Sequence, residues 1–347
     1  MNSDLDLEQR YRRVLRLLPG YYREKWEEDM VAAFLDSWMT GDPDEDSVTM
    51  EFDRPSRREM ASVAGLAARL YLGGVSAPRR YFAWGQAVRG TVLAVLLLQA
   101  ILSIDQLVYL AWWRGLIGWL PAPPVILPAA NNIWTVVWYA VYCTWIMIFI
   151  VLVLGHYRAA QAAAVLVIVP DLVAVLQAQL AGNLPSRFGP WAYWILLNLA
   201  PVLAMSAFHR DAPPVARRAW LLALPAGFLL VSVPLLAVQM TAHFAWMLDT
   251  PGQCCLLVAL ACLAHTPRAR SSRPGTGVWS LTLTLTAALA GLYRIATLGD
   301  YLHDPHLVKV SLAELLILVA AAALVAPDAA RTQAAIPAQP PFRRLVG

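Results

Sequence analysis

The chain has 347 residues, of which 59% are hydrophobic and only 14% are charged, and its mean hydropathy is +0.54. These values exclude an ordinary soluble globular protein and indicate a polytopic membrane protein. The charge is unevenly distributed, because residues 1–59 carry 15 acidic and 9 basic residues whereas residues 60–347 carry 8 acidic and 18 basic ones. The sequence therefore predicts a charged, soluble N-terminal part followed by a membrane-embedded part.

The N-terminal segment has the pattern of a small helical unit. Apolar residues recur at helical spacing over residues 7–18, and a second stripe repeats every four residues over residues 22–38. Pro19-Gly20 breaks the chain between them, so two amphipathic helices should pack face to face. Ser56 and Glu59 have the spacing of a capping box and predict the start of a third helix.

A family resemblance appears in the same segment. The pattern from Leu18-Pro19 through Arg23 and the run Glu27-Glu28-Asp29-Met30 to Phe34 resembles the helical prefix domains of the HAAS and permease-prefix type. These domains precede membrane spans in bacterial proteins, and the arginine-rich and alanine-rich chain as a whole is similar to integral membrane proteins of actinobacteria. The resemblance implies a cytoplasmic signalling or assembly module. We find no ATP-binding, extracellular permease or DNA-binding domain in this sequence, so we do not expect a self-sufficient ABC transporter.

Several residues of the N-terminal unit are candidates for binding a partner. Arg12, Arg13 and Arg16 project from the first predicted helix opposite its apolar face, and Trp26 and Trp38 lie on the second. We expect this surface to contact a cytoplasmic protein. The alternative is that the basic side of the first helix meets anionic lipid headgroups.

The remainder of the chain contains repeated apolar runs long enough to cross a bilayer, which takes about 20 residues per helix. We predict an all-α transmembrane bundle of about eight spans. The runs lie at residues 88–111, 132–154, 160–181, 190–208, 219–241, 246–265, 278–298 and 307–326. Counts of seven or nine are the alternatives, because the fifth and sixth runs are almost continuous.

The distribution of arginine and lysine predicts the orientation of the bundle. With eight spans and a cytoplasmic N-terminus, 13 basic residues fall in inner segments and 3 in outer loops. This is the bias expected of cytoplasmic loops. We therefore predict a multi-pass plasma-membrane protein with both termini in the cytoplasm. Its predicted parts are a cytoplasmic helical prefix domain at residues 1–77, a transmembrane domain at 78–326 and a disordered cytoplasmic tail at 327–347.

Four ionisable residues fall inside the predicted spans, where a charge is costly and usually lines a cavity or pairs with another charge. They are Asp105, Asp171, Arg294 and Glu314, and together they form a candidate intramembrane polar site. Arg294 and Glu314 lie at similar depth on adjacent antiparallel spans, which predicts an ion pair of structural or functional use. Pro170, next to Asp171, removes a backbone hydrogen bond and can leave a carbonyl facing a polar cavity.

The other residue types with characteristic chemistry do not predict a reaction or a cofactor. The four cysteines lie in apolar runs without a CxxC pair, which favours buried thiols over a disulfide framework or a zinc site. The predicted outer loop at 299–306 contains aspartates and histidines, but a solvated polar loop is favoured over a metal site. Hydrolase, metalloprotease and P-loop motifs are absent from the sequence, and we predict neither an enzyme nor a bound cofactor.

Two functions of different classes are consistent with these features. The first is an accessory or sensor protein, whose prefix contacts a cytoplasmic protein or membrane complex while the bundle lies in the lipid bilayer; no nucleic acid is expected. The alternative is a secondary transporter or permease subunit that binds an ion or polar solute at the intramembrane charges. A water-accessible cavity that reaches those charges favours transport, whereas an accessory role predicts a closed bundle.

Overall fold

The computed structural model describes residues 7–37, 55–73, 78–118, 133–180, 191–192, 194–209, 214–241, 249–270 and 276–334. Over these residues the chain is entirely helical, apart from short connections, as the sequence predicts. It divides into two compact units, residues 1–85 and 86–347. The division falls inside a long helix, slightly later than the predicted boundary between residues 77 and 78.

The first unit consists of three complete helices and the first turns of a fourth. These are α1 (Leu7–Leu15), α2 (Gly20–Asp36), α3 (Arg57–Tyr71) and the beginning of α4 (Arg79–Trp113). The predicted capping box is present at the start of α3. The Ser56 hydroxyl accepts from the Glu59 amide at 3.2 Å, and the Ser56 amide donates to the Glu59 carboxylate at 2.7 Å.

The core of the first unit is formed by one face of each of its three helices. The rings of Tyr11 on α1 and Phe34 on α2 stack with centroids 3.9 Å apart. Val63, Ala67 and Leu70 of α3 are also buried. The first two helices therefore pack against each other as predicted, and the third completes their core.

The predicted apolar stripe of α2 faces the core only in part. Phe34 is buried, but Trp26 is 41% exposed. Residues four apart advance by about 400° around an α-helix, so a strict four-residue repeat drifts by about 40° at each step. Trp26 is far enough from Phe34 along this repeat to leave the buried face.

The second unit contains the rest of α4 and a series of further helical segments. They are α5 (Ile133–Leu154), α6 (Tyr157–Leu180), a π-helix (Trp194–Leu199), α7 (Ala200–Ala204), α8 (Arg217–Thr241), α9 (Thr250–Arg270), α10 (Thr276–Leu298) and α11 (Pro305–Ala334). Each of the eight predicted apolar runs overlaps helical structure.

Four helices in the described part of the chain are long and apolar enough to cross a membrane. These candidate spans are Arg80–Trp112, Tyr157–Gln177, Gly277–Leu298 and Pro305–Ala334. Two shorter apolar segments, Tyr139–Leu154 and Trp194–Ala207, accompany them. By length and composition, these helices are compatible with a membrane protein.

Two apolar cores organise the second unit. The first joins α4 to α5 and α6, and the second joins α9, α10 and α11. Helix α4 belongs to both, because Leu96 is buried in the first core and Val95 in the second. Cys254, Cys255 and Cys262 are buried in the second core as predicted. Cys143 is exposed, contrary to prediction, because it lies on the opposite side of α5 from its buried residues.

Helices α4 and α10 approach each other closely at Gly90. A Cβ at this position would lie 2.7 Å from the Thr282 hydroxyl, so the contact requires glycine. The Thr91 hydroxyl donates to the Thr282 carbonyl at 3.3 Å. Small residues and hydroxyl hydrogen bonds of this kind are the usual means of packing helices in lipid.

Helix α11 continues beyond the predicted end of the last span. Pro327 is accommodated inside the helix, and residues 327–334, predicted to belong to the disordered tail, are helical. Two contacts with α10 hold this end. The Ser280 hydroxyl donates to the Asp328 carboxylate at 2.7 Å, and Thr332 packs against Gly277. Residues 335–347 of the predicted tail lie outside the described residues.

Candidate functional site

A chain of three polar side chains crosses the interior of the second unit. Gln99 on α4 donates from Nε2 to Asn198 Oδ1, and Asn198 donates from Nδ2 to Asp171 Oδ2 on α6 at 3.1 Å. Gln99 and Asn198 are only 2% and 1% exposed. Both amides donate in the direction of Asp171, so the carboxylate must accept, and an ionised carboxylate has acceptors only.

Irregular helices position the two members of this chain that lie outside α4. Asn198 is part of the π-helix. This wider type of helical turn is rare in proteins overall, but where it occurs it is often at a functional site. Pro201 follows it and has no amide hydrogen to donate to a preceding carbonyl. Pro170 interrupts the hydrogen bonds of α6 directly before Asp171 in the same way. Each interruption of regular α-helix therefore lies beside a polar residue that lines the cavity described below, Asn198 in one case and Asp171 in the other.

Helix α4 presents a polar stripe to the same region. Gln99, Ser103 and Gln106 are spaced four and three residues apart, so they lie on one face of the helix. These neutral residues are not among the ionisable groups that mark the predicted polar site. Their spacing within an otherwise apolar helix is the signal in the sequence that indicates them.

These residues line a cavity of about 430 Å³. Its polar lining includes Gln99, Ser103, Gln106, Tyr142, Asp171 and Asn198. Thr250 of α9 and Tyr293 of α10 also contribute, so the cavity lies between the two helix groups. Its volume is within the range of about 300–1,000 Å³ that is typical of small-molecule sites, and helix interfaces are common places for them.

The structure divides the four charges of the predicted intramembrane site. Asp171 lines the cavity, whereas Arg294 and Glu314 lie in a separate cluster at one end of α10 and α11. Asp105 is buried on α4, at 3% exposure, but is not among the described residues that line the cavity. The predicted single site is therefore at least two separate polar regions.

The cluster at Arg294 joins three helices. Arg294 Nη2 lies 2.5 Å from Glu314 Oε2, which is the predicted pair, and Nη1 lies 2.5 Å from Asp249 Oδ2. The Tyr301 hydroxyl donates to Asp249 at 2.6 Å, and the Gly252 amide donates to its other carboxylate oxygen at 2.9 Å. Sequence reasoning did not find Asp249 as a partner, because it lies in a turn before α9. Every charged group of the cluster thus has a counterpart, which suits a structural role.

A third cluster of polar side chains connects α9, α10 and α11. Ser280 lies between His265 Nε2, at 3.1 Å, and the Asp328 carboxylate, to which it donates at 2.7 Å. Ser280 is fully buried, and His265 is 9% exposed. The serine occupies the middle of this chain, whereas a hydrolytic triad needs the histidine there. The order of the three side chains therefore differs from that of a hydrolytic triad, and their hydrogen bonds link the three helices.

In the first unit, one of the predicted partner-binding arginines is engaged internally. Arg12 donates to both oxygens of Glu28 at 2.8 Å and to Glu8 at 2.7 Å. Arg13 and Arg16 are exposed. Trp26 is also exposed, with the Lys25 ammonium 4.9 Å from its ring centroid. Trp38 lies outside the described residues.

The contact between Arg12 and Glu28 shifts the protonation of both groups. Hydrogen bonds from Arg12 lower the pKa of Glu28, and the hydrogen bond to Glu28 raises the pKa of Arg12 further above its usual value. Each shift favours the charged form of its group. Both residues are solvated, so this contact between α1 and α2 contributes little to stability.

The polar loop before α11 has a capping role. Asp304 accepts from the amides of His306 and Leu307 at 2.9 and 3.4 Å, so its carboxylate is used at the start of the helix. The side chain of Asp300, in the same loop, lies outside the described residues. Elsewhere in the described chain, no three histidine, cysteine or acidic residues are grouped as metal ligands.

Comparison with known proteins returned no match among protein-family models, curated proteins or solved structures.

Proposed function

We propose that this protein is a secondary transporter or permease subunit whose solute site is the cavity at Asp171. The observation that carries the proposal is a polar cavity between two helix groups that contains a carboxylate inside an apolar unit. An isolated packing charge would be covered by neighbouring side chains, whereas a solute site needs space. Transporters commonly place such sites at broken helices between bundles that move relative to each other.

The proposal includes an eight-span topology with both termini in the cytoplasm. It is supported by contacts between residues that the charge bias assigns to the same side. Trp220 and Trp279, both at predicted inner ends, have ring centroids 6.3 Å apart. Tyr157 and Phe208, also at predicted inner ends, are 5.6 Å apart. The cluster at Arg294 joins three predicted outer ends.

Water access to the cavity tests the proposal. In full-length protein in liposomes, with Cys143 replaced by serine, Ser103→Cys should react with a water-soluble methanethiosulfonate reagent. Ser311→Cys is the matched control, because Ser311 is fully buried and lies outside the cavity lining. A Ser103→Cys protein as unreactive as the control would indicate a closed bundle and would contradict a transport role.

Transport itself is tested by solute-induced currents in proteoliposomes under an imposed proton gradient. Asp171→Asn should abolish a current that the wild-type protein gives with at least one member of a polar solute panel. Asp105→Asn is the control, because it removes a buried carboxylate outside the cavity lining. Equal currents in wild type and Asp171→Asn would remove Asp171 from the site.

The accessory or sensor function is a second candidate and concerns the first unit. This unit buries its own apolar core yet leaves Arg13, Arg16 and Trp26 exposed. Tryptophan and arginine are enriched among the residues that contribute most to protein–protein binding. Cross-linking in native membranes, followed by mass spectrometry, should recover a cytoplasmic protein with the wild type but not with Arg13→Glu/Trp26→Ala. Identical cross-linked partners would contradict this function.

A further inference from the structure

We infer that the ligand of the Asp171 cavity is a small organic cation, such as a protonated or quaternary amine. This inference deepens the proposed solute site and depends on it. The charge of the lining, the direction of its hydrogen bonds and the surrounding aromatic side chains each favour a cation.

The charge of the lining favours a cation. Asp171 is the one carboxylate among the described residues that line the cavity, and no lysine, arginine or histidine is among them. Elsewhere in the same unit, buried carboxylates do have a counter-charge from the protein, because Arg294 pairs with Asp249 and Glu314. The described lining of the cavity provides no such counter-charge for Asp171, so a positive ligand would supply the missing charge. An anion would instead be repelled by Asp171.

The hydrogen bonds of the lining keep Asp171 available as an acceptor. Gln99 donates to Asn198 and Asn198 donates to Asp171, so the chain of amides ends on the carboxylate. The Asn198 bond uses one oxygen of Asp171, Oδ2, and Trp145 also forms a hydrogen bond with the carboxylate. The amide chain thus holds the carboxylate in a fixed position at the cavity wall. A cation bound beside it would favour its ionised form.

Aromatic residues form much of the remaining wall. Trp145, Trp194, Tyr142 and Tyr293 line the cavity. The Trp194 indole donates its N–H to the Ile168 carbonyl at 3.4 Å, so what it adds to the wall is ring surface. Aromatic rings attract organic cations through their quadrupole, and cages of such rings with a carboxylate recognise alkylated ammonium groups. Calcium sites usually combine several carboxylates, whereas the described lining contributes one, Asp171.

Ligands of one shape and different charge test the inference. Choline, its neutral carbon analogue 3,3-dimethylbutan-1-ol and the anion 3,3-dimethylbutanoate are titrated into full-length protein in nanodiscs, with binding followed by tryptophan fluorescence and calorimetry. Methylammonium and tetramethylammonium extend the cation series to smaller sizes. We expect at least one cation to bind at least tenfold more tightly than the neutral and anionic compounds.

Substitutions at Asp171 then assign that preference to the carboxylate. Asp171→Asn should reduce cation affinity at least tenfold and remove the discrimination against the neutral compound. Asp171→Glu should retain the preference, and Asp105→Asn, the control, should leave it unchanged. These isosteric or conservative changes keep the protein foldable, which thermal unfolding of each variant checks.

The results separate this inference from the proposed function. Preferential binding of the neutral or anionic compound, or failure of all three cations to bind, overturns the inference. A solute site remains in that case if Ser103→Cys is labelled, and the proposed function stands. If Ser103→Cys is also unreactive, the proposed function fails together with the inference. A cation preference that persists in Asp171→Asn likewise overturns the inference, because the charge would then come from another group.

Discussion

Arg294 and Glu314 form an ion pair with 2.5 Å between Nη2 and Oε2, and each side chain is almost entirely buried. The pair joins adjacent helices across the loop between α10 and α11. Asp249 shares the same guanidinium through Nη1. The arginine therefore balances two carboxylates rather than one, and this asymmetry determines how each substitution should behave.

Removing the arginine should cost more stability than removing the glutamate. Arg294→Leu leaves two carboxylates without a counter-charge, and loss of one partner of a buried pair typically costs about 3–5 kcal/mol. Glu314→Leu should cost less, because Arg294 keeps Asp249. Replacing both residues by leucine should recover part of the stability that is lost in Arg294→Leu alone. Thermal unfolding in detergent measures all three proteins, and strictly additive losses would show that the pair is not coupled.

Gly252→Ala should destabilise the same cluster. A Cβ at residue 252 would lie 2.5 Å from Glu314 Oε1 and 2.8 Å from Asp249 Oδ1, so both carboxylates would have to move. Overpacking of this kind typically costs about 1–3 kcal/mol. Gly291→Ala on α10 is the control, because its nearest neighbour would be Leu318 Cδ2 at 3.7 Å. Equal melting temperatures for the two variants would contradict the tight packing at Gly252.

The Arg294 pair was predictable because its determinants are local. Charged residues inside apolar runs are conspicuous in a sequence, and adjacent antiparallel spans place them at a calculable depth. Asp249 was not recognised as the third member, because a residue in a turn acquires a partner only through the packing of three helices. The eight helical segments were predictable for the same local reason, since hydrophobicity and helix length follow from the residues themselves.

The Asp171 cavity was only partly predictable. Asp171 and Pro170 were identified from the chemistry of the span, but Gln99 and Asn198 are neutral amides that hardly alter the hydropathy of their helices. Their contact brings together residues almost a hundred positions apart, and the π-helix that presents Asn198 depends on tertiary packing. A cavity is a property of several helices at once, so no single segment of the sequence contains it.

Ser280→Ala should reveal the polar network between α9, α10 and α11. The substitution leaves His265 and Asp328 without their shared hydroxyl, and a buried polar group that loses its partner costs about 1–3 kcal/mol. Ser311→Ala is the matched control, because Ser311 donates only to the Leu307 carbonyl of its own helix, at 2.7 Å, among the bonds of the described chain. The Ser280 variant should melt at the lower temperature, and the reverse order would exclude the network as a stabilising element.

The contact between Arg12 and Glu28 should be sensitive to acid. The pKa of Glu28 is lower in the folded protein than its ordinary value of 4.5, so its contribution is present above that pH. The contribution is lost as the pH falls through the lowered value, because the carboxylate is then protonated in both states. Hydrogen exchange of α1 should be faster in Arg12→Gln than in wild type near neutral pH. The difference should disappear at low pH, and a difference independent of pH would contradict this account.

Tyr21→Phe should leave the first unit as stable as the wild type or more stable. Burial raises the pKa of Tyr21 to about 12, and no described residue accepts a hydrogen bond from its hydroxyl. The neutral phenol is favoured in the folded state, so its contribution is lost as the pH rises from 10 towards 12. Tyr301→Phe is the contrasting variant, because it removes the bond to Asp249 and should lower the melting temperature. A lower melting temperature for Tyr21→Phe would indicate a hydrogen bond to its hydroxyl.

The π-helix at Trp194–Leu199 takes one more residue per turn than an α-helix would. A π-helical turn accommodates one extra residue within a helix, so deleting a single codon in this segment would allow regular α-helix while the flanking residues kept roughly their faces. The widened turn that presents Asn198 to Gln99 and Asp171 would then be lost, while the other helices kept their lengths. A deletion of one codon would thus distinguish a chain in which the Asn198 amide holds the Asp171 carboxylate from a chain in which it does not. Among natural variants of this protein, the length of this short segment would be the first character to compare with ligand preference.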